Sequence, residues 1–208
     1  DESYVADGLI VHNCTHWSIA RGEKVDYDSE WEQPALDAVL EDEDDTPAAK
    51  EARWRSRMLM SDVIRFSAVH RYRGVIVENV PDILRWWAFD RWLAEMHKLG
   101  YRSKVIHLNS AFAMALGAPA PQLRNRVYIV FWQKRYRTPN WRKWLSPLAW
   151  CPTCREVVRG VYSPKPGPRR PMLYGVRHQY VYRCPNTSCR HAIVQPYVLP
   201  ALAAIDFS

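Results

Sequence analysis

What this chain has little of narrows it first. Across 208 residues no apolar run approaches the length of a membrane span, and no secretory signal pattern is visible. Cysteine is scarce, five in all, and four of the five stand in two close pairs. That usage, with no signal or span, points to a reducing, cytoplasmic setting, where paired cysteines suggest a metal before a disulfide. Acidic side chains are nearly missing between Lys134 and Arg190, where Glu156 is the only one.

What is present is unevenly placed. The formal charge is +7, yet Glu23 to Asp45 is strongly acidic and ends in Glu41-Asp42-Glu43-Asp44-Asp45. A basic lobe separated from an acidic stretch fits phosphate contacts on one side of the molecule. The length suits one or two domains with a real core. The first residue is Asp, which fits a fragment whose start lies upstream.

Periodicity places the elements. Ala48 to about His70 suits a helix, with Met58, Val63, Phe66 and Val69 near helical spacing. Val75-Ile76-Val77 reads as a central strand buried on both faces, delivering Glu78 to its C-terminal end, where ligands bind in open α/β sheets. A second helix starts at Pro81-Asp82 and buries Trp86, Phe89, Leu93 and Met96; Gly100 stops it. Lys104 to Leu108 and Arg126 to Trp132 read as further strands, the latter rich in β-branched and aromatic residues. This β-α-β order implies half of a doubly wound sheet.

Four groups of residues carry chemistry. Cys14 has no nearby cysteine partner and is a candidate nucleophile, against the plainer reading of a buried structural thiol. Glu78, ending a buried strand, is a candidate general acid, against the plainer reading of an arginine's partner. Arg124 and Arg126 lie two apart on an extended stretch and so point the same way. Cys151-Pro152-Thr153-Cys154 and Cys184-Pro185-Asn186-Thr187-Ser188-Cys189 have the spacing of a four-thiolate zinc ribbon. His178 and His191 are alternative ligands but read better as exposed basic-face residues.

Taken in order, Cys14 with Ser18 four residues later, Glu78-Asn79-Val80, and Gln122-Leu123-Arg124-Asn125-Arg126 resemble the ordered motifs of the DNA (cytosine-5) methyltransferases. The resemblance covers roughly residues 14 to 133, and the wording around Cys14 looks most like bacteriophage and actinobacterial members. It implies that a Cys14 thiolate adds to C6 of a flipped cytosine, that Glu78 protonates N3, and that a methyl group passes from S-adenosylmethionine to C5. Arg124 and Arg126 would hold the base or anchor Glu78, with Ser18, Asn79 and Gln122 at the substrate. The implied partner is double-stranded DNA. The family's glycine-rich cofactor motif is absent, so the missing N-terminal half of the same enzyme is a second expected partner and the chain alone is expected to be inactive.

The family's proline before the cysteine is also absent, with Asn13 in its place. Residues 1 to 13 resemble the C-terminal splice block of an intein, in which His12 assists, Asn13 cyclises and Cys14 begins the downstream segment. The plainer reading is a hairpin turning at Asp7-Gly8. The expected organisation is therefore an intein remnant over 1–13, the C-terminal half of a methyltransferase catalytic domain over 14–147 with an acidic catalytic loop at about 19–47, and a zinc-ribbon target-recognition region over 148–208. The fold expected is α/β, a partial Rossmann-like methyltransferase sheet with a small zinc-ribbon β lobe. Within that lobe Arg169, Arg170, Arg177, Tyr174, Tyr180 and Tyr182 are candidate DNA contacts. The alternative is a non-catalytic zinc-ribbon nucleic-acid-binding protein. The two readings part on whether Cys14, Glu78 and Arg124 share one pocket.

Overall fold

A computed structural model describes residues 3–6, 9–12, 60–115, 118–166, 173–200 and 202. Cys14, Ser18, the acidic stretch and the predicted start of the first helix lie outside these residues. Strands β1 (Ser3–Ala6) and β2 (Leu9–His12) form an antiparallel hairpin in which Ala6 faces Leu9, the register of a two-residue connection. Residues 60–70 are helical (α1). Then come β3 (Gly74–Asn79), a short tight turn of helix at Pro81–Arg85, α2 (Phe89–Lys98), β4 (Tyr101–Asn109), another single turn at Ser110–Phe112, and β5 (Asn125–Gln133). After α3 (Trp141–Leu145) come five strands among the described residues: β6 (Leu148–Cys151), β7 (Glu156–Arg159), β8 (Val161–Pro164), β9 (Tyr180–Arg183) and β10 (Ile193–Pro196).

The three middle strands hydrogen-bond in the order β3-β5-β4. The Lys134 N–H donates to Gly100 and the Ser110 N–H to Arg124, so β4 and β5 meet end to start and run antiparallel. The Gln133 N–H at the end of β5 donates to Arg73 at the start of β3, which sets that pair antiparallel as well. The last strand inserts between the first two, so both neighbouring pairs in this sheet are antiparallel, where the β-α-β reading placed β3 and β4 side by side. Strand order depends on hydrogen bonds between distant segments, which a β-α-β reading of the chain does not contain.

The chain divides into two units, Asp1–Ser103 with Val130–Lys134, and Lys104–Ile129 with Arg135–Ser208. In the first, alternation along β3 buries Val75, Val77 and Asn79 and leaves Ile76 and Glu78 half-buried, so one face of this strand is more deeply covered than the other. Helix α2 buries Phe89, Trp92 and Met96 at helical spacing, and Trp92 packs edge-on against Phe131 at 5.3 Å while its indole N–H donates to the Met60 carbonyl. Gly100, at φ +92, supplies the left-handed residue that ends this helix.

Two expected faces are corrected. Trp86 is not on α2: the turn begun by Pro81 closes at Arg85, and Trp86 takes an extended backbone (ψ 122) before the helix restarts. On α1 the buried positions are Met60, Val63 and Ser67, whereas Val69 is 71% exposed. Two residues beyond Ser67 is about 200° around a helix, which turns Val69 to the opposite side.

In the second unit β7-β6-β10-β9-β8 form a five-stranded sheet whose neighbours are all antiparallel. Its core gathers Ala149, Cys151, Val158, Tyr180, Tyr182, Cys184, Cys189 and Val194, joined by Ala111 and Phe112 from the turn after β4. No helix among the described residues is long and apolar enough to cross a membrane.

Candidate functional site

Glu78 stands one residue from the end of β3, half-buried and engaged with neighbouring groups. Asn79 beside it is buried, and its side-chain oxygen accepts the Val80 N–H at 2.8 Å, capping the strand's exit. The Glu78-Asn79-Val80 stretch therefore ends a strand, as its β-branched run predicted. Strand β2, which leads to Asn13 and Cys14 in sequence, contacts β3. Cys14, Ser18 and the side chains of His12 and Asn13 lie outside the described residues.

Gln122 and Arg124 are exposed on the approach to β5, and Arg126 is half-buried within it. The Arg126 guanidinium donates to the Asn125 carbonyl at 2.8 Å. What holds this stretch is a pair of residues at the end of β4 that none of the motifs includes. Asn109, buried at the end of β4, accepts the Arg124 N–H at 3.2 Å and the Ala111 N–H at 3.1 Å on one oxygen. The Ser110 hydroxyl donates to the Gln122 carbonyl at 3.0 Å. A buried asparagine ending a strand was the available signal, since burial of an amide calls for several partners at once.

The four paired cysteines converge. Cys151 ends β6 and Cys154 lies in the turn to β7; Cys184 follows β9, and Cys189 precedes β10. Their sulfurs all lie within 4.8 Å of one another, with Cys151 and Cys189 at 3.9 Å and Cys154 and Cys184 at 3.6 Å. A tetrahedral metal with sulfur bonds of about 2.3 Å needs sulfurs about 3.8 Å apart, whereas a disulfide needs about 2.05 Å. All four are free thiols, so the geometry fits a metal and not a pair of disulfides.

The turns around them are built to face sulfur. Backbone N–H groups of Cys154 and Asn186 point at the sulfurs of Cys151 and Cys184, each at 3.5 Å, and the Asn186 amide reaches Cys154 at 3.6 Å. Such donors offset negative charge on thiolates. Arg155, Arg190 and His191, the residues that follow the second cysteine of each pair, take φ of 58, 52 and 54. Left-handed backbone at non-glycine residues costs on the order of 1 kcal/mol each and persists where surrounding structure demands it. Burial pushes the Cys184 thiol up to about 12. Burial also acts to raise Cys189, but the Ala192 N–H and the neighbouring thiols outweigh it and bring Cys189 down to about 7. His178 and His191 are exposed and stand outside the cluster, as expected.

Two of the tyrosines expected on DNA are core residues instead. Tyr180 is 0% and Tyr182 1% exposed. They pack with Tyr162 and Tyr174 in a set of ring contacts between 4.8 and 6.4 Å. Burial raises both hydroxyls well above the ordinary tyrosine range. The short strands of a small lobe leave few aliphatic side chains for its centre, and aromatic rings fill it. Arg177 is exposed and Tyr174 half-buried, while Arg169 and Arg170 lie outside the described residues. Arg142, Arg183 and His191 line a depression of about 350 Å³ on this unit, a basic feature the reading of the chain did not isolate.

No curated protein matches the chain. S-Adenosylmethionine use is a general property of the C-5 cytosine-specific DNA methylase family, whose model this chain matches in part. Residues 48–150 match the model of the C-5 cytosine-specific DNA methylase family, and with a strand-ending Glu78 and a pinned arginine stretch inside that span, the match supports a DNA cytosine-5 methyltransferase.

Proposed function

We propose that this chain is the nucleophile-bearing and target-recognising part of a DNA (cytosine-5) methyltransferase of phage or actinobacterial type. The observation that carries it is the family match over 48–150, which takes in Glu78-Asn79 and Gln122 to Arg126 in the family's order. The organisation stays as read from the sequence: an intein remnant over 1–13, the C-terminal half of the catalytic domain over 14–147, and a zinc-ribbon target-recognition region over 148–208.

C5 of cytosine is a weak nucleophile. Cys14, as thiolate, forms a bond to C6 and pushes electrons onto the ring, where Glu78 donates a proton to N3. The resulting enamine has a nucleophilic C5. S-Adenosylmethionine, when bound, supplies the methyl group and carries away the bonding electrons. The N3 proton then returns to Glu78, and loss of the C5 proton expels the Cys14 thiolate and restores the aromatic ring. Arg124 and Arg126 orient the flipped base or anchor Glu78, with bidentate geometry open to either, and Ser18, Asn79 and Gln122 stand at the substrate. Arg142, Arg183 and Arg177 offer positive charge to the DNA backbone.

Cys151, Cys154, Cys184 and Cys189 hold zinc in this reading. Their soft thiolates, sulfur spacing and N–H donors suit a closed structural site, in which the metal contributes folding free energy and no chemistry. His12 and Asn13 form the splice junction with Cys14. Strand β2 then belongs to the intein, and its contact with β3 suits a segment occupying the place of the enzyme's own strand.

The test is a covalent trap. DNA carrying 5-fluorocytosine at the target, mixed with this chain, its N-terminal half and S-adenosylmethionine after splicing, should become linked to the protein, because fluorine at C5 prevents release. Cys14→Ser should abolish the adduct. An adduct that persists in that variant would overturn the assignment.

A further inference from the structure

The cysteine lobe and the arginine stretch meet in one hydrogen-bonded node within the second unit. Asn109 donates from its amide nitrogen to the Asn125 side-chain oxygen at 3.1 Å, and that oxygen also accepts the Tyr174 N–H at 3.3 Å. On its other side Asn109 accepts the N–H groups of Ala111 and Arg124. One buried amide thus ties β4, the start of β5 and, through Asn125, the segment that enters β9. Two further bonds, from the Ser110 N–H to the Arg124 carbonyl at 2.9 Å and from the Ala120 N–H to the Ser110 carbonyl at 3.2 Å, close the loop between the strands.

A second connection runs through packing. Phe112, three residues after Asn109, is 3% exposed and lies in the same core cluster as Cys151, Cys184 and Cys189. Its ring meets Tyr174 edge-on at 4.5 Å and Tyr182 at 5.8 Å. Cys184 is two residues beyond Tyr182, so the thiol cluster, the tyrosine core, Phe112 and Asn109 form a contiguous packed series that ends on the backbone of Arg124. A loop spanning Ser110 to Arg124 has large freedom unless its closing contacts are held.

We infer that metal binding by the four thiols positions the Gln122 to Arg126 stretch, acting through Phe112 and the Asn109–Asn125 node. Asn109, Phe112 and Asn125 are positioning residues, and the lobe is a brace for the arginines as well as a recognition surface. The metal half rests on the zinc reading above; the node and the packing do not.

The experiment is amide hydrogen exchange on the 208-residue chain, with zinc content measured in parallel. Zinc removal should speed exchange at Arg124, Ser110 and Tyr174 by about tenfold or more, with Val75 and Val77 of β3 within about twofold. Asn125→Leu, which deletes the acceptor shared by Asn109 and Tyr174, should loosen Arg124 and Tyr174 at unchanged zinc content, and Asn125→Asp, which keeps that acceptor, should restore them. Phe112→Ala should do the same as Asn125→Leu. A chain that never holds zinc overturns the metal site and the metal-dependence together, while the variants still decide the node. Zinc released with Arg124 exchange unchanged overturns the coupling and leaves the metal site standing. If zinc removal also exposes β3, the Asn125→Leu variant at full zinc decides: unaltered Arg124 exchange there overturns the inference.

Discussion

The region around β3 and α2 and the region from β6 to β10 solve the same problem by different means. The first buries Val75, Val77, Trp92, Met96 and Phe131, large apolar side chains delivered by a strand period of two and a helix period near four. The second has strands of four residues each and a centre made of tyrosines and thiols. Small lobes of this kind bury too little apolar surface to hold themselves and need a staple. The difference teaches that burial alone does not equate two cores: one is built from large apolar side chains, the other from tyrosine rings and four converging sulfurs.

Chelation should break the comparison most sharply. Structural zinc in small domains binds with an apparent free energy of roughly 10–16 kcal/mol, all of it coupled to folding. Removing the metal, or introducing Cys151→Ser, should therefore abolish the β6 to β10 amide signals in NMR spectra while those of β3 and α2 persist. Equal survival of both regions without metal would show that the tyrosine core is self-sufficient.

The converse change strikes the first region. Trp92→Ala removes an indole that packs on Phe131 and donates to the Met60 carbonyl, so it should cost about 3–5 kcal/mol in urea unfolding. Zinc content should stay at the wild-type value. Loss of zinc in this variant would mean that the two regions unfold as one.

A smaller effect sharpens the comparison through pH. His107, on β4, is held at about 4 by burial, below its ordinary 6.5, and its Nδ1 has no hydrogen-bond partner among the described residues. The unfolded chain therefore takes up this proton more readily than the folded one. Stability from a neutral His107 is complete above pH 6.5 and is lost as pH falls toward 4, by about 3 kcal/mol at most. Urea midpoints between pH 6.5 and 4.5, measured in saturating zinc, should fall in the wild type more than in His107→Leu, the contribution of the thiolates being common to both. Parallel curves would show that His107 is not the group responsible.

The sequence by itself determined the parts of this molecule that depend on near neighbours. Alternating β-branched residues specify β3 and β5. Gly100 ends α2 because only a glycine enters φ +92 without cost, and two close cysteine pairs foretell a four-sulfur cluster because ligand spacing within a turn is local. The order of Glu78-Asn79-Val80 and Gln122 to Arg126 was legible for the same reason. Only the tertiary structure decided the rest. The insertion of β5 between β3 and β4, the burial of Tyr180 and Tyr182 in place of an exposed aromatic surface, and the Asn109–Asn125 node each depend on partners that are distant along the chain. Strand order and the satisfaction of a buried amide are set by which surfaces meet, and no local period in the chain encodes that meeting.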